Sequence, residues 1–179
     1  MASFDPETGK QLWTVDGPSQ EFVATPTYSE KAGLVFVSSS WPKQILLAIR
    51  PDGSGDVTAT HIAWSDNKGA PYVPSLLVAG DFLLSINNGG TAFCYEAATG
   101  KVLWQEKLGR HHASPVLVGS LVFFINDDGQ INVVRPGPTF ERVAKYELGE
   151  SCYASPAISD GQVFLRGFQH LFCIGAKVK

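Results

Sequence analysis

Short apolar runs separated by turn residues recur along the whole chain. In each unit, a proline is followed by a short apolar run and then by a glycine. A second run of β-branched and aromatic residues follows the glycine. These second runs cover residues 34–37, 82–86, 121–125 and 163–165. Runs of this length, bounded by turn residues, are typical of β-strands, and no segment has convincing helical periodicity. The pattern therefore predicts an all-β protein.

Each unit of the pattern contains two more strands. A third apolar run covers residues 45–49, 91–95, 131–134 and 171–174, and a fourth strand ends at a tryptophan position. The dipeptides Asn88-Gly89 and Asp128-Gly129 stand before two of the third runs. Both dipeptides tolerate the positive φ that a two-residue hairpin turn needs. We therefore expect four antiparallel strands in each unit.

Two segments of the chain repeat each other closely. Residues 4–13 and residues 95–104 share an acidic residue, then Thr-Gly-Lys, then Leu-Trp, in the same register. The prolines that open the first runs are separated by 48, 41 and 41 residues and stand at Pro26, Pro74, Pro115 and Pro156. A period in the low forties is the length of a four-stranded propeller blade. Residues 1–179 are therefore expected to form one β-propeller domain, or part of one, with about four blades.

The repeated segments resemble the tryptophan-docking motif of the pyrroloquinoline-quinone-like (PQQ-like) repeat family, an acidic residue followed by x-x-Thr-Gly-Lys-x-x-Trp. The unit that ends at Trp64 carries a longer insert at residues 50–56, and the unit that ends at Lys145 lacks the tryptophan. The resemblance implies that the motif docks one blade on the next. It assigns this structural role to Trp13, Trp64, Trp104, Gly9 and Gly100.

The ends of the chain leave three ways to close a ring. Residues 2–4 align with residues 172–174, so the last blade lacks its outer strand, and residues 10–15 could supply it. Such a seam hides edges that would otherwise recruit other chains. One chain could close as a ring of four blades, or two chains could form a homodimeric ring of eight. The chain could equally be a portion of a longer propeller.

Composition excludes several kinds of partner. The net charge is −3 and no cluster of Lys and Arg is present, so we expect no nucleic acid partner. No apolar stretch of about 18 residues occurs, and the first residues lack the pattern of a signal peptide. The family resemblance nevertheless implies a periplasmic or extracytoplasmic location. The three cysteines lack the spacing of a disulfide framework or of a metal site.

The same repeat occurs in quinoprotein dehydrogenases. Their sites resemble one another in having adjacent cysteines that form a disulfide, a tryptophan under the quinone, and acidic and amide ligands to calcium. This chain has no Cys-Cys pair, so no cofactor residue can be carried over. His111 and His112 are adjacent and should point to opposite sides of an extended segment. We expect no catalytic residue, no metal site and no cofactor, with PQQ and calcium as the cofactor alternative.

Propellers bind mainly through the loops of one face, close to the central channel. The repeat register places candidate binding residues in these loops at Trp41, Asn67, Arg110, His111, Tyr153 and Phe168. We therefore expect a non-catalytic scaffold that binds protein partners, similar to the BamB-like members of the family. The alternatives are a quinone-dependent dehydrogenase or its degenerate remnant, and a ligand- or glycan-binding sensor module of a larger bacterial protein.

Overall fold

The computed structural model describes residues 1–16 and 20–175, and all regular structure in them is β. The strands are β1 (Ala2–Phe4), β2 (Gln11–Thr14), β3 (Thr27–Ser29), β4 (Leu34–Ser39), β5 (Ile45–Ile49), β6 (Gly55–Asp56), β7 (Ile62–Asp66), β8 (Leu77–Ala79), β9 (Phe82–Ile86), β10 (Thr91–Glu96), β11 (Val102–Lys107), β12 (Val116–Val118), β13 (Leu121–Ile125), β14 (Gln130–Arg135), β15 (Glu141–Glu147), β16 (Ala157–Ser159), β17 (Gln162–Arg166) and β18 (Leu171–Gly175). These residues include no helix that is long and apolar enough to cross a membrane.

Three complete blades form the middle of the molecule. They are the four-stranded sheets β3-β4-β5-β7, β8-β9-β10-β11 and β12-β13-β14-β15, here called the first, second and third blades. Every neighbouring pair within them is antiparallel, as expected for strands joined in chain order by short turns. The prediction of an all-β propeller with four-stranded antiparallel blades is confirmed.

A three-stranded sheet flanks the blades at each end. The N-terminal sheet has the order β1-β2-β6, and the C-terminal sheet has the order β16-β17-β18. Strand β6 comes from the insert at residues 50–56 and pairs in parallel with β2, at Trp13↔Gly55 and Thr14↔Asp56. The insert of the first blade thus covers the outer edge of the N-terminal sheet.

The expected seam within one chain is absent from the described residues. Closure of one chain, in which residues 10–15 would complete the last blade, was one of three possibilities, but β2 pairs with β1 on one edge and with β6 on the other. Strand β18 pairs with β17 alone among the described residues. The single chain does not close in this structure, because both hydrogen-bonding edges of β2 are already occupied.

The apolar cores lie between neighbouring sheets. One core joins the first and second blades through Leu34, Phe36, Leu83 and Tyr95, all buried. Similar cores lie between the N-terminal sheet and the first blade, between the second and third blades, and between the third blade and the C-terminal sheet. Burial of apolar area between sheets contributes roughly 25 cal/mol per Å². The sheets are therefore held together face to face, which fixes the loops at their edges.

One detail of register differs from the prediction. Trp104 pairs with Cys94 just before a bulge, and the residue that occupies this place in the third blade is Ala144, opposite Val133. The expected Lys145 is one residue too far, because the repeat spacing is not constant: Trp104 and Ala144 are 40 residues apart, whereas the prolines are 41 apart. Ala144 therefore replaces the tryptophan of the third blade.

The two predicted hairpins have three-residue loops. Asn87 N–H donates to the carbonyl of Thr91 and Gly90 N–H donates to Asn87, and only Gly90 of the loop has positive φ. The loop after Asn126 repeats this arrangement and ends at Gly129. The side-chain carbonyl of each asparagine also accepts the backbone N–H four residues ahead. This bond holds the wider turn, so the prediction of two-residue turns is wrong.

Candidate functional site

The docking tryptophans connect neighbouring sheets through their indole N–H groups. Trp13 Nε1 donates to the carbonyl of Pro51 at 2.8 Å, Trp64 Nε1 donates to Ala97 at 3.0 Å, and Trp104 Nε1 donates to Gly137 at 3.0 Å. Each acceptor lies in the following blade, in the connection between its third and outer strands. A buried indole N–H needs such a partner, and the ring supplies a large apolar contact beside it. These three tryptophans are therefore occupied by contacts within the fold.

The glycines of the two motif copies have different surroundings. Gly9 and Gly100 both have positive φ, at 69° and 74°. A Cβ at Gly100 would stand 2.5 Å from Cδ2 of Trp64, whereas a Cβ at Gly9 would meet nothing within 4 Å. Gly100 thus lies directly under the indole of the preceding blade. The first copy of the motif has no such neighbour among the described residues.

The candidate binding loops lie on one face of the molecule. In each blade, the loop between the second and third strands and the loop after the outer strand emerge at the same edge of the sheet. Trp41 lies between β4 and β5, Asn67 follows β7, and Arg110 follows β11. Tyr153 precedes β16, and Phe168 lies between β17 and β18. We call the surface formed by these loops the loop face.

Four side chains from different loops meet on the loop face and form what we call the aromatic cluster. His112 Nδ1 lies 3.0 Å from each carboxylate oxygen of Asp127, and the His112 ring packs on Tyr153 with centroids 4.9 Å apart. Tyr153 meets Phe168 edge to face, at 5.4 Å and 88°. Tyr153 is 50% exposed and Phe168 is 64% exposed. The cluster is an aromatic surface whose side chains hold one another in place.

His111 has a different environment from the one predicted. It lies in the expected loop, but its side chain is fully buried and its ring packs edge-on against Phe124. Its Nδ1 lies 2.6 Å from the carbonyl of Gly109, and burial lowers its pKa, so the ring is neutral at pH 7. His111 therefore offers nothing to a partner on the surface. The side chain that does so is its neighbour, His112.

A comparison of the repeats could have identified the buried histidine. His111 stands four residues before Pro115, and the residues four before Pro74 and Pro156 are Ala70 and Cys152. All three side chains are fully buried. The alignment on the prolines thus marks a core position that small or apolar residues occupy in two other units, although Phe22, four residues before Pro26, is exposed.

The carboxylate of Glu150 organises the loops beside the aromatic cluster. Its oxygens accept hydrogen bonds from the backbone N–H groups of Gln169 and His170 and lie 3.0 Å from the Nδ1 of His170. Burial opposes ionisation, but these hydrogen bonds outweigh it and lower the pKa of Glu150. Glu150 is therefore an anion at pH 7. It holds the loop that carries Phe168.

Cys152 lies beneath the same loops, and the charges of two carboxylates affect the pKa of its thiol. Burial raises the pKa of its thiol, and the negative charges of Glu150 and Asp127 raise it further, against a hydrogen bond to Ala154. The thiol faces the carbonyls of Ala154 and Arg166. Cys152 is thus a buried thiol whose raised pKa leaves little reactive thiolate at pH 7.

Trp41 and Asn67 lie apart from the aromatic cluster, in loops of the first blade, and Arg110 lies two residues before His112 of the cluster. Trp41, in the first blade, is 58% exposed, and its backbone carbonyl accepts from the N–H groups of Gln20 and Glu21. Asn67 is exposed in the turn after Asp66, whose carboxylate accepts from the Tyr95 hydroxyl at 2.7 Å. The structure therefore brings Tyr153 and Phe168 together but leaves Trp41 and Asn67 apart from them.

The residues present do not fit a quinone site of the dehydrogenase type. Cys94 lies in β10 and Cys152 lies in the loop before β16, and both are unpaired. The three docking tryptophans are engaged with carbonyls of the next sheet. Across residues 1–16 and 20–175, no group of three or more His, Cys, Asp or Glu side chains is arranged to hold a metal ion. No step of a reaction can be assigned to these residues.

Comparisons with known proteins agree with this architecture. The structure resembles BamB from Moraxella catarrhalis with a TM-score of 0.73 and 18% identity, over 93% of this chain and 50% of that one. It also resembles the computationally designed Ika8 protein (TM-score 0.67, 15% identity, 97% and 51% coverage). The quinohemoprotein alcohol dehydrogenase ADHIIG from Pseudomonas putida HK5 is similar too (TM-score 0.68, 11% identity, 86% and 29% coverage). At these identities the likeness shows the fold alone.

The sequence itself establishes the family. No curated protein matches the chain. The chain spans about half the length of the BamB structure that it resembles. A family model, however, matches residues 2–136, well over half of the chain, and that model is described as outer membrane protein assembly factor BamB. The chain therefore belongs to the BamB family of PQQ-like repeat proteins.

Proposed function

We propose that the chain is a non-catalytic scaffold that binds protein partners through its loop face. The observation that carries this proposal is the aromatic cluster, where two large rings are at least half exposed on a rigid support. Aromatic side chains of this kind are the residues that most often anchor protein interfaces. Family membership supports the same function, since the matching family is named for an assembly factor.

The cluster is suited to binding because it is already ordered. The Asp127 carboxylate holds the His112 ring, which packs on Tyr153, and Glu150 holds the loop of Phe168. A partner would therefore lose little affinity to the ordering of these side chains, which otherwise costs about 0.5–1.5 kcal/mol for each one immobilised.

A paired substitution tests this function. The double variant Tyr153→Ser/Phe168→Ser removes both exposed rings, and Tyr146→Ser removes an equally exposed ring from the outer strand β15. A panel of extended peptides is titrated against each protein by fluorescence anisotropy. We expect peptides that bind the parent to bind the double variant at least tenfold more weakly and Tyr146→Ser unchanged. The proposal would be contradicted if the double variant bound the peptides as tightly as the parent, or if Tyr146→Ser weakened binding as much as the double variant.

The location follows from the family. A scaffold of the BamB family is proposed to work in the periplasm, next to the outer membrane. Cell fractionation of the native host with an antibody to the chain checks this. Recovery in the cytoplasmic fraction would contradict it.

A homodimer that completes an eight-bladed ring is the second part of the partner proposal. It is supported by the coverage of half of the BamB structure and by the edge of β18 that lacks a strand neighbour among the described residues. Because β6 holds one edge of β2, such a ring requires β18 of one copy to replace β1 of the other. Light scattering measures the mass of the protein in solution. A mass of twice 19.3 kDa would support the ring, and a mass of 19.3 kDa would oppose it.

A quinone-dependent dehydrogenase is the competing function, and the fold likeness to ADHIIG is the observation that favours it. The docking tryptophans and separated cysteines oppose it. We expect no visible absorbance to remain with the protein after incubation with PQQ and calcium followed by desalting. A retained chromophore that supports dye-linked alcohol oxidation would replace the scaffold proposal.

A further inference from the structure

We propose that the aromatic cluster recognises an arginine side chain in an extended segment of the partner. This inference rests on the proposed function and names the chemistry of the same surface. It combines two observations, the exposed faces of two aromatic rings and the negative charge of the loops around them.

The rings supply the first half of the recognition. A guanidinium within about 6 Å of an aromatic centroid is attracted to the face of the ring. Tyr153 and Phe168 meet edge to face, so their planes are nearly perpendicular, and both retain exposed surface. A flat guanidinium can stack on the face of one ring while its alkyl stem lies against the other. His112 fixes the Tyr153 ring from beneath, so the stacking surface is present before binding.

The charge of the surrounding loops supplies the second half. The loops that follow β11, β13, β15 and β17 carry three carboxylates, Asp127, Asp128 and Glu150, against the single cation of Arg110. The loops touch one another, because Leu148 N–H donates to the carbonyl of Gly129 at 2.9 Å. Histidines pair with Asp127 and Glu150, whereas Asp128 forms no salt bridge within residues 1–16 and 20–175. A cation is therefore attracted to the same place where the rings can stack it.

Arginine satisfies both conditions better than other side chains. Its guanidinium is planar, remains charged at neutral pH and is weakly hydrated, so it loses less than an ammonium when it stacks. An apolar side chain would gain the ring contact without the attraction of the carboxylates. An acidic segment would be repelled by them. The partner segment is thus expected to be extended, arginine-containing and poor in acidic residues near the arginine.

The test uses three synthetic peptides with the same Gly/Ser backbone. One contains a central arginine, the second contains citrulline, which has the same shape without the charge, and the third contains glutamate. Affinity is measured by fluorescence anisotropy at low and at moderate salt. We expect the arginine peptide to bind roughly tenfold more tightly than the citrulline peptide, the glutamate peptide to bind least, and the difference to shrink with added salt.

Two matched variants separate local recognition from general charge attraction. Asp128→Asn removes an exposed carboxylate from the loop face, and Asp160→Asn removes one from the β16–β17 turn on the opposite face. We expect Asp128→Asn to weaken the arginine peptide about threefold and Asp160→Asn to leave it unchanged. Equal weakening by the two substitutions would overturn the inference, because it would show attraction by net charge only.

The outcomes also distinguish this inference from the function on which it rests. If the arginine and citrulline peptides bind equally, and Tyr153→Ser/Phe168→Ser weakens both, the loop face still binds partners and the requirement for a cation is refuted. If no peptide responds to the double variant, the cluster is not a partner site and both proposals fail. Preference for arginine that persists in the double variant would place the cation site elsewhere and overturn the inference.

Discussion

Replacing Gly100 with alanine should destabilise the fold far more than the same change at Gly9. Both glycines end an equivalent turn, in which the glycine N–H donates to the acidic residue four positions before it, and their φ angles differ by only a few degrees. The added methyl group therefore experiences the same backbone strain in both variants, roughly 1–2 kcal/mol for an L-residue in the left-handed region. Only the surroundings of the methyl group differ.

The surroundings supply the difference in free energy. At Gly100 the methyl carbon would lie 2.5, 2.7 and 2.9 Å from three ring atoms of Trp64. That ring cannot easily move, because its N–H is bonded to Ala97 and its face is stacked on Tyr95 at 5.9 Å. Overpacking of a fixed site costs about 1–3 kcal/mol. We thus expect a loss of about 2–5 kcal/mol for Gly100→Ala and about 1–2 kcal/mol for Gly9→Ala.

Urea denaturation followed by tryptophan fluorescence measures both losses. Total stabilities of roughly 5–15 kcal/mol make a difference of this size easy to detect. The unfolding slope with denaturant should remain the same, so that the change reflects stability and not the compactness of either state. Equal losses in the two variants would refute the view that the glycine of the motif exists to admit the indole of the preceding blade.

Two further predictions concern titratable groups. Burial opposes ionisation of Asp66, but hydrogen bonds led by the backbone of Gly69 and the Tyr95 hydroxyl outweigh it and lower its pKa below 3.8. The stability that ionised Asp66 contributes is therefore complete above about pH 5 and is lost as the pH falls through the folded pKa. Asp66→Asn should be less stable than the parent protein at pH 7, and its free energy of unfolding should fall less than that of the parent between pH 6 and pH 3. Parallel pH profiles of the two proteins would contradict this. In the monomeric chain, a chromogenic disulfide reagent at pH 8 should modify one thiol rapidly, because Cys173 is exposed, whereas Cys94 and Cys152 are buried and the pKa of Cys94 is raised to about 12. Rapid modification of more than one thiol would contradict the burial.

The strands were predictable from the sequence because their signals are local. The predicted runs at residues 82–86 and 121–125 coincide with β9 and β13. Alternation of side chains and the turn residues on either side suffice to mark such elements. The period in the low forties then placed them in blades. The runs predicted from local sequence therefore match strands of the structure.

The errors arise where the fold depends on distant pairing. The insert at residues 50–56 contains a strand of only two residues, which has no periodicity, and it is ordered by pairing with Trp13 and Thr14. The place of the missing tryptophan was displaced to Lys145, since the prediction added the 41-residue spacing of the prolines, whereas Trp104 and Ala144 are 40 residues apart. Closure within one chain, one of the three possibilities, fails for a related reason, because one edge of β2 is covered by that unpredicted strand and the other by β1.

The aromatic cluster shows why the repeat positions a site without specifying it. His112 and Tyr153 occupy the same place in successive units, three residues before Pro115 and Pro156, and the unit before them has Pro71 there. The shared backbone therefore brings this position to the loop face in each unit, but only the last interface fills it with rings on both sides. Asp127 and Phe168 are related in the same way, as residues of the loop between the second and third strands. The repeated residues determine the backbone positions of the loops, and the residues that differ between repeats determine which side chains the loops present. Substitutions in these loops should therefore change partner specificity, whereas substitutions of the docking tryptophans should change stability.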